Sequence, residues 1–137
     1  MKLLGVDFGF KRIGLAVTDS AIGLPSAKPT IEAAGSLKKD AARLAEIAKK
    51  EHVEAIVVGF PLEDGEEGRM ARICRQLAEH LEQDHGFKTF LVDETLTSVG
   101  AEEMLLSTGM KASQRKKARD GEAAARILER FLNEARP

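Results

Sequence analysis

Four acidic residues stand where the apolar pattern leaves no comfortable place for a charge: Asp7, Asp93, Glu94 and Asp120. Asp7 comes near the end of KLLGVDF, where Leu3, Leu4, Val6 and Phe8 are apolar and Gly9 follows. Side chains alternate along a strand, so Asp7 shares a face with Leu3 and Gly5. Asp93 and Glu94 close the run KTFLVDE; alternation puts Glu94 on the face of Phe90 and Val92, and Asp93 on that of Thr89 and Leu91. Asp120 sits in a helical context, where positions 120, 124, 127, 128 and 131 fall on one stripe, so it continues an apolar face and points toward a sheet. A carboxylate on a covered face is costly unless it is paired or holds a cation. Two strand-end acids and one inward helix acid suit a hard cation, Mg²⁺ or Mn²⁺, which takes carboxylate oxygens and leaves room for water and phosphate.

Taken singly, each acid has an ordinary explanation. Asp7 could accept hydrogen bonds from the turn at Gly9, Asp93 or Glu94 could cap a following helix, and Asp120 could pair with Arg115 or Arg119. The combination favours the metal. Immediately before Asp120, the segment MKASQRKKARD carries Lys111, Arg115, Lys116, Lys117 and Arg119. Such a run is usually a solvated helix face. Here it lies at a helix N-terminal region, where cations gain nothing from the helix dipole, and next to an inward acid, which favours phosphate binding. Lys11 and Arg12 in the first hairpin, and Arg69 and Arg72 at the start of a helix, are weaker candidates for the same surface.

These residues must be carried by elements that the pattern also indicates. KLLGVDFG, RIGLAVTD and SAKPTIEA read as strands, the first two joined by a hairpin through FKR, the third placed at an edge by Pro29. Ser36 is a plausible N-cap for a helix carrying Leu37, Ala41, Leu44, Ala45 and Ala48 up to Glu51. EAIVVGF is apolar without alternation, as in a strand covered on both faces. FPLEDGEEG reads as a loop, Met70, Ile73, Cys74, Leu77 and Leu81 as an amphipathic helix ending near Gly86, and KTFLVDE as a strand. A short helix through Ala101, Met104 and Leu105, capped by Thr97 or Ser98 and closed by Gly109, precedes a last helix from about Ser113 to Glu134. The order predicts an α/β protein, an antiparallel meander extended by parallel strands with helices on its faces.

The 137 residues suit one domain, 1–137, with a single core. A net charge of −1 from 21 basic and 22 acidic residues excludes a uniformly basic nucleic-acid binder, so a polyanion site must be a local patch. One cysteine, Cys74, excludes a disulfide framework; with no apolar run long enough to span a bilayer and MKLLGVD too short for a signal core, a soluble, cytoplasmic protein is expected. Cys74 falls on an apolar helix stripe, and His52, His80 and His85 show no ligand spacing. With no Trp, no Tyr and six Phe, backbone and shape recognition are expected over reading of splayed bases.

Four segments in this order, VDFGFKRIGLAVTD, VVGFPLEDGEEG, VDETLTS and RKKARDGEAAARILERFL, resemble the YqgF/RuvX family across nearly the whole chain. These are small RNase H-like nucleases described as candidate pre-16S rRNA processing nucleases and, in older usage, candidate Holliday junction resolvases. The resemblance implies an RNase H-like fold, a mixed five-stranded sheet with three antiparallel strands and then two parallel ones, flanked by helices. It carries an acidic triad onto Asp7, Glu94 and Asp120. It implies phosphodiester hydrolysis with two Mg²⁺ or Mn²⁺ ions about 4 Å apart, Asp7 touching both and Glu94 and Asp120 one each. Lys11, Arg12, Lys111, Arg115, Lys116, Lys117 and Arg119 would then hold the nucleic-acid backbone, with Gly9 leaving room for it. Partners would be pre-rRNA first, branched DNA second, and ribosomal particles. Thr95 stands where the family commonly has Arg, and GRM where it often has Gly-Pro.

Two other classes fit parts of the pattern. A glycine turn beside an acid also opens actin and sugar-kinase-like folds, which need two domains closing on ATP, and this chain has length for one half. A non-catalytic RNA-binding assembly factor could keep the fold, but it would not need three aligned acids. Junction cleavage would call for a dimer where trimming an RNA end would not, and the sequence leaves the oligomeric state open.

Overall fold

A computed structural model describes residues 1–19, 21, 23–94 and 112–134, with only the helical backbone for 112–120. β1 (Lys2–Phe8), β2 (Arg12–Asp19) and β3 (Ser26–Glu32) form an antiparallel meander. Helix α1 (Leu37–Lys50) leads to β4 (Ala55–Phe60), a small hairpin of β5 (Leu62–Glu63) and β6 (Glu66–Glu67), helix α2 (Arg69–Gln83), β7 (Lys88–Asp93) and finally α3 (Ala112–Glu134). The main sheet has five strands in the order β3-β2-β1-β4-β7, with β4 parallel to both β1 and β7. That is the expected mixed sheet, with Pro29 on an edge strand where no ladder bond is lost on its outer side.

Local chemistry explains the borders. Ser36 accepts the Lys39 N–H at 3.4 Å and starts α1, while Lys49 and Lys50 lie in its last turn, where the dipole favours cations. Central β4 is apolar throughout because helices cover both its faces. The segment read as a loop is instead a two-residue hairpin turned by Asp64 (φ 51°) and Gly65 (φ 79°). Both central residues at positive φ mark a turn of type I′, for which Asp-Gly is a strong signal. The β6 residue Glu67 is ion-paired with Arg75 of α2, and the Arg75 guanidinium lies 5.6 Å from the Phe60 ring centre.

The core has two compartments. On one face Leu4, Val6, Phe8, Ile13, Ile56 and Val58 pack against Leu44, Leu77 and Leu81 of α1 and α2. On the other Leu3, Ala16, Ala55, Val57 and Val92 meet Ala124, Ile127 and Leu128 of α3. The expected short helix over Ala101, Met104 and Leu105, with Thr97, Ser98 and Gly109, lies outside the described residues, as does Thr95. Among the described residues no helix is long and apolar enough to cross a membrane.

Candidate active site

Asp7 occupies the last turn of the pleat in β1, opposite Gly14 of β2, on the α3 face of the sheet. Glu94 follows β7 directly, and its N–H donates to the Phe60 carbonyl at 2.9 Å, which fixes the chain end beside β4. Between the two strands stands Gly59. A Cβ there would lie 3.2 Å from Glu94 Cβ and 2.8 Å from Ile127 Cγ1, so the absence of a side chain is what admits both. Glu94 and Asp7 are thereby joined through their carboxyl groups.

That contact has an electrostatic consequence. Burial first, then the Asp7 charge and the hydrogen bond to it, then Asp93, push the Glu94 carboxyl up to about 9. Two carboxylates cannot both ionise at this spacing without a compensating charge. The donor set is oxygen only, which suits a hard divalent cation. Cys74 packs in the other compartment, and burial, followed by the charges of Glu94 and Asp7, pushes its thiol up to about 12. It is core, as expected, and it is no thiolate ligand.

Asp93 takes a different place. Its Oδ2 lies 3.9 Å from Nη2 of Arg130 in α3. Of the two adjacent acids that alternation left open, the structure brings Glu94 against Asp7. The side chain of Asp120 lies outside the described residues, and so do those of Arg115, Lys116, Lys117 and Arg119, with Lys111 wholly so. Among the described residues no group of three or more His, Cys, Asp or Glu gathers as a metal site. The backbone next to Asp120 is nevertheless placed: at Gly121 a Cβ would lie 3.1 Å from Ala27 Cβ, so α3 presses against β2 and β3 there. The predicted stripe continues as Ala124, Ile127 and Leu128, all fully buried, and Phe131, whose ring centre lies 4.8 Å from that of Phe90.

Lys11 and Arg12 sit at the β1–β2 turn and line a hollow with Thr30, Ile31, Glu32 and Ala33. The Ala33 N–H donates to the Lys11 carbonyl at 2.9 Å, tying the turn to the end of β3. Gly9 does not leave open room, as the sequence suggested: a Cβ there would lie 2.6 Å from the Arg12 carbonyl oxygen. Its space is filled by the hairpin itself. His80 and Asp84 pair at 2.9 Å at the exposed C-terminal end of α2.

Sequence reasoning missed two residues near this end of the sheet. Gly59 was hidden in an apolar strand, although a glycine inside a buried strand signals close approach of another group. Asp40, 2 % exposed, accepts the Ala34 N–H at 2.8 Å through Oδ1 and holds the β3–α1 connection. No apolar periodicity flags such a residue.

A β3-β2-β1-β4-β7 sheet, parallel only at β4, with helices on both faces, is the RNase H-like fold. The chain belongs to the RuvX family: the model described as "RuvX: Holliday junction resolvase" matches residues 1–134. Curated relatives named as candidate pre-16S rRNA nucleases include one from Anaeromyxobacter dehalogenans (strain 2CP-C), 41 % identical with all of both chains covered. Another, from Endomicrobium trichonymphae, is 39 % identical over 96 % of this chain and 95 % of its own. Among solved structures, T. thermophilus RuvC in complex with a Holliday junction substrate aligns with a TM-score of 0.60 at 17 % identity, covering 98 % of this chain and 94 % of that one. The large terminase nuclease of thermophilic phage G20c aligns with a TM-score of 0.54 at 14 % identity, covering 91 % and 80 %. These two likenesses concern the fold.

Proposed function

We propose that this chain is a metal-dependent nuclease, a hydrolase of phosphodiester bonds, that acts on nucleic acid and processes the 5′ end of pre-16S rRNA. The observation that carries the reading is the half-buried Asp7–Glu94 pair at the ends of β1 and β7, one strand apart, a pair of acids that folding alone would not favour. Family membership over nearly the whole chain rules out the half-kinase alternative. The names of full-length relatives favour pre-rRNA over a DNA junction, since likeness to RuvC is one of fold. Ribosomal particles and a cytoplasmic setting belong to the same proposal.

Asp7, Glu94 and Asp120 would hold Mg²⁺ or Mn²⁺. The bound cation supplies charge neutralisation at the phosphoryl oxygens and a water of lowered pKa. Asp7 and Glu94 contribute by staying ionised together once a cation offsets their repulsion, and the fixed ends of β1 and β7 keep them aligned without reorganisation. Lys11 and Arg12, with Lys111, Arg115, Lys116, Lys117 and Arg119, would take the phosphates on either side of the cut, so binding should weaken steeply with salt.

The test is cleavage of a precursor rRNA 5′ segment with Mn²⁺, beside a synthetic four-way junction. Asp7→Asn should lower cleavage at least about 10²–10³-fold while keeping the wild-type circular dichroism spectrum. Retained Mn²⁺-dependent cleavage by that variant would sink the assignment, and cutting of the junction alone would move the substrate to DNA.

A further inference from the structure

The chain has six phenylalanines, and five are at least half-buried in packed positions; Phe10 is 62 % exposed at the tip of the β1–β2 hairpin. Leaving a large aromatic ring in water gains nothing for the fold, and single exposed apolar residues are common. Three further features set Phe10 apart. Its ring stands edge-on to Phe8 at 6.3 Å between centres, so it is oriented by a buried neighbour. It walls a cleft of about 130 Å³ together with Phe8, Ala33, Leu37, Ile73 and Asp40. It directly precedes Lys11 and Arg12, and only Phe8 and Gly9 separate it from Asp7.

Among the described residues the lining of the cleft is mostly apolar, with Asp40 as its one charged residue. Oδ1 of Asp40 takes the Ala34 N–H; among the described residues Oδ2 takes no hydrogen bond. An occupant there should combine a flat apolar body with N–H groups on its edge. The cations beside the ring ask that it also carry a phosphate. A purely apolar peptide side chain meets the first demand and neither of the others.

We propose that Phe10 and this cleft hold one unpaired base of the substrate strand, stacked on the Phe10 ring, while Lys11 and Arg12 take the neighbouring phosphate. The inference rests on the nuclease reading above and adds to it where the strand runs. Asp7 and Phe8 are consecutive and point to opposite faces of the sheet, so a strand reaching both must cross the end of β1. Three residues span at most about 11 Å, a few nucleotides from the acids to the cleft. A duplex cannot present a base face there, so the cleft selects an unpaired segment beside the cut.

Binding of a single-stranded oligoribonucleotide without divalent cations, so that nothing is cut, tests this directly. Phe10→Ala should weaken binding about 5- to 100-fold, and the slope of log affinity against log salt should not change, because no charge is removed. Phe10→Trp should restore affinity. The natural chain has no tryptophan, so this variant carries a lone fluorophore whose emission should be quenched by the oligonucleotide and left unchanged by an abasic one of equal length. Equal affinity of Phe10→Ala and wild type, or equal quenching by the abasic strand, overturns the proposal. So does a fall in sedimentation mass for Phe10→Ala with RNA binding intact, which would give the cleft to a second copy of the chain. A protein that binds through Phe10 yet cuts nothing with Mn²⁺ would overturn the nuclease reading and leave this inference standing.

Discussion

On one face of the sheet Leu4, Val6, Ile13, Ile56 and Val58 meet Leu44, Leu77 and Leu81; on the other, Gly5, Gly14, Ala16 and Gly59 lie under Ala124, Ile127 and Leu128. Large side chains on the first face remove much apolar surface from water and keep the helices at ordinary distance. Small residues on the second let α3 come close: a Cβ on Gly5 would lie 2.6 Å from Leu128 Cγ and 2.8 Å from the Ala124 carbonyl. The paired acids Asp7 and Glu94 lie on this second face. The bulkier packing and the acid pair thus lie on opposite sides of one sheet, and the acids are tolerated where neighbours are small enough to leave them room.

The largest expected effect sharpens that division through pH. The folded value of Glu94 lies above its ordinary 4.5, so between there and about 9 the folded protein keeps a proton that the unfolded chain has released. Its contribution to stability is therefore full below the ordinary value and drains as pH rises toward about 9. The metal-free protein should melt several degrees lower at about pH 8.5 than at about pH 6, and Mg²⁺ should restore much of the loss at the higher pH. Glu94→Gln, neutral throughout, should show a nearly flat profile and no Mg²⁺ response. A wild-type profile as flat as the variant's would mean that the acids do not repel as their contact implies.

Next in size is a cavity on the opposite face. Leu77 is fully buried among α1, α2 and the sheet. Leu77→Ala should cost about 2–5 kcal/mol in urea unfolding. Cleavage per folded molecule should not change, because Leu77 belongs neither to the acid pair nor to the lining of the Phe10 cleft; a matching loss of specific activity would break the division.

How far this division was legible from sequence follows from range. Strands, helices and their order were readable because alternation and helical spacing act over a few residues: Ser36 capped α1 as expected, and Pro29 fell on the edge. The β5–β6 hairpin escaped because strands of two residues carry no periodicity, although Asp64-Gly65 was a usable sign. Alternation put Asp93 and Glu94 on opposite faces, yet Asp93 also reaches α3, through Arg130, and which of the two acids met Asp7 depended on where α3 packs, a contact distant in sequence. The Phe10 cleft joins residues from β1, the β3–α1 connection and α2, and no local signal unites them.

Gly59 is where the two functions of the second face meet, and substitution there separates them. An added Cβ would press on Ile127, which is fully buried and β-branched and so has little freedom to turn aside, at 2.8 Å from Cγ1 and closer still to Cδ1. Overpacking of this kind costs about 1–3 kcal/mol, so Gly59→Ala should lower the urea midpoint. The same Cβ stands 3.2 Å from Glu94 Cβ, so cleavage should fall beyond the loss of folded protein. Gly5→Ala is the comparison: it meets Leu128 and the Ala124 backbone but not Glu94, and should lose stability while keeping cleavage per folded molecule. Adding Ile127→Val to Gly59→Ala removes the Cδ1 methyl and should return part of the stability, giving a favourable coupling energy between the two sites. Cleavage should stay low in that double variant, because the contact with Glu94 is untouched. If activity returned together with stability, the glycine would serve only helix packing and the acids would be placed by β1 and β7 alone.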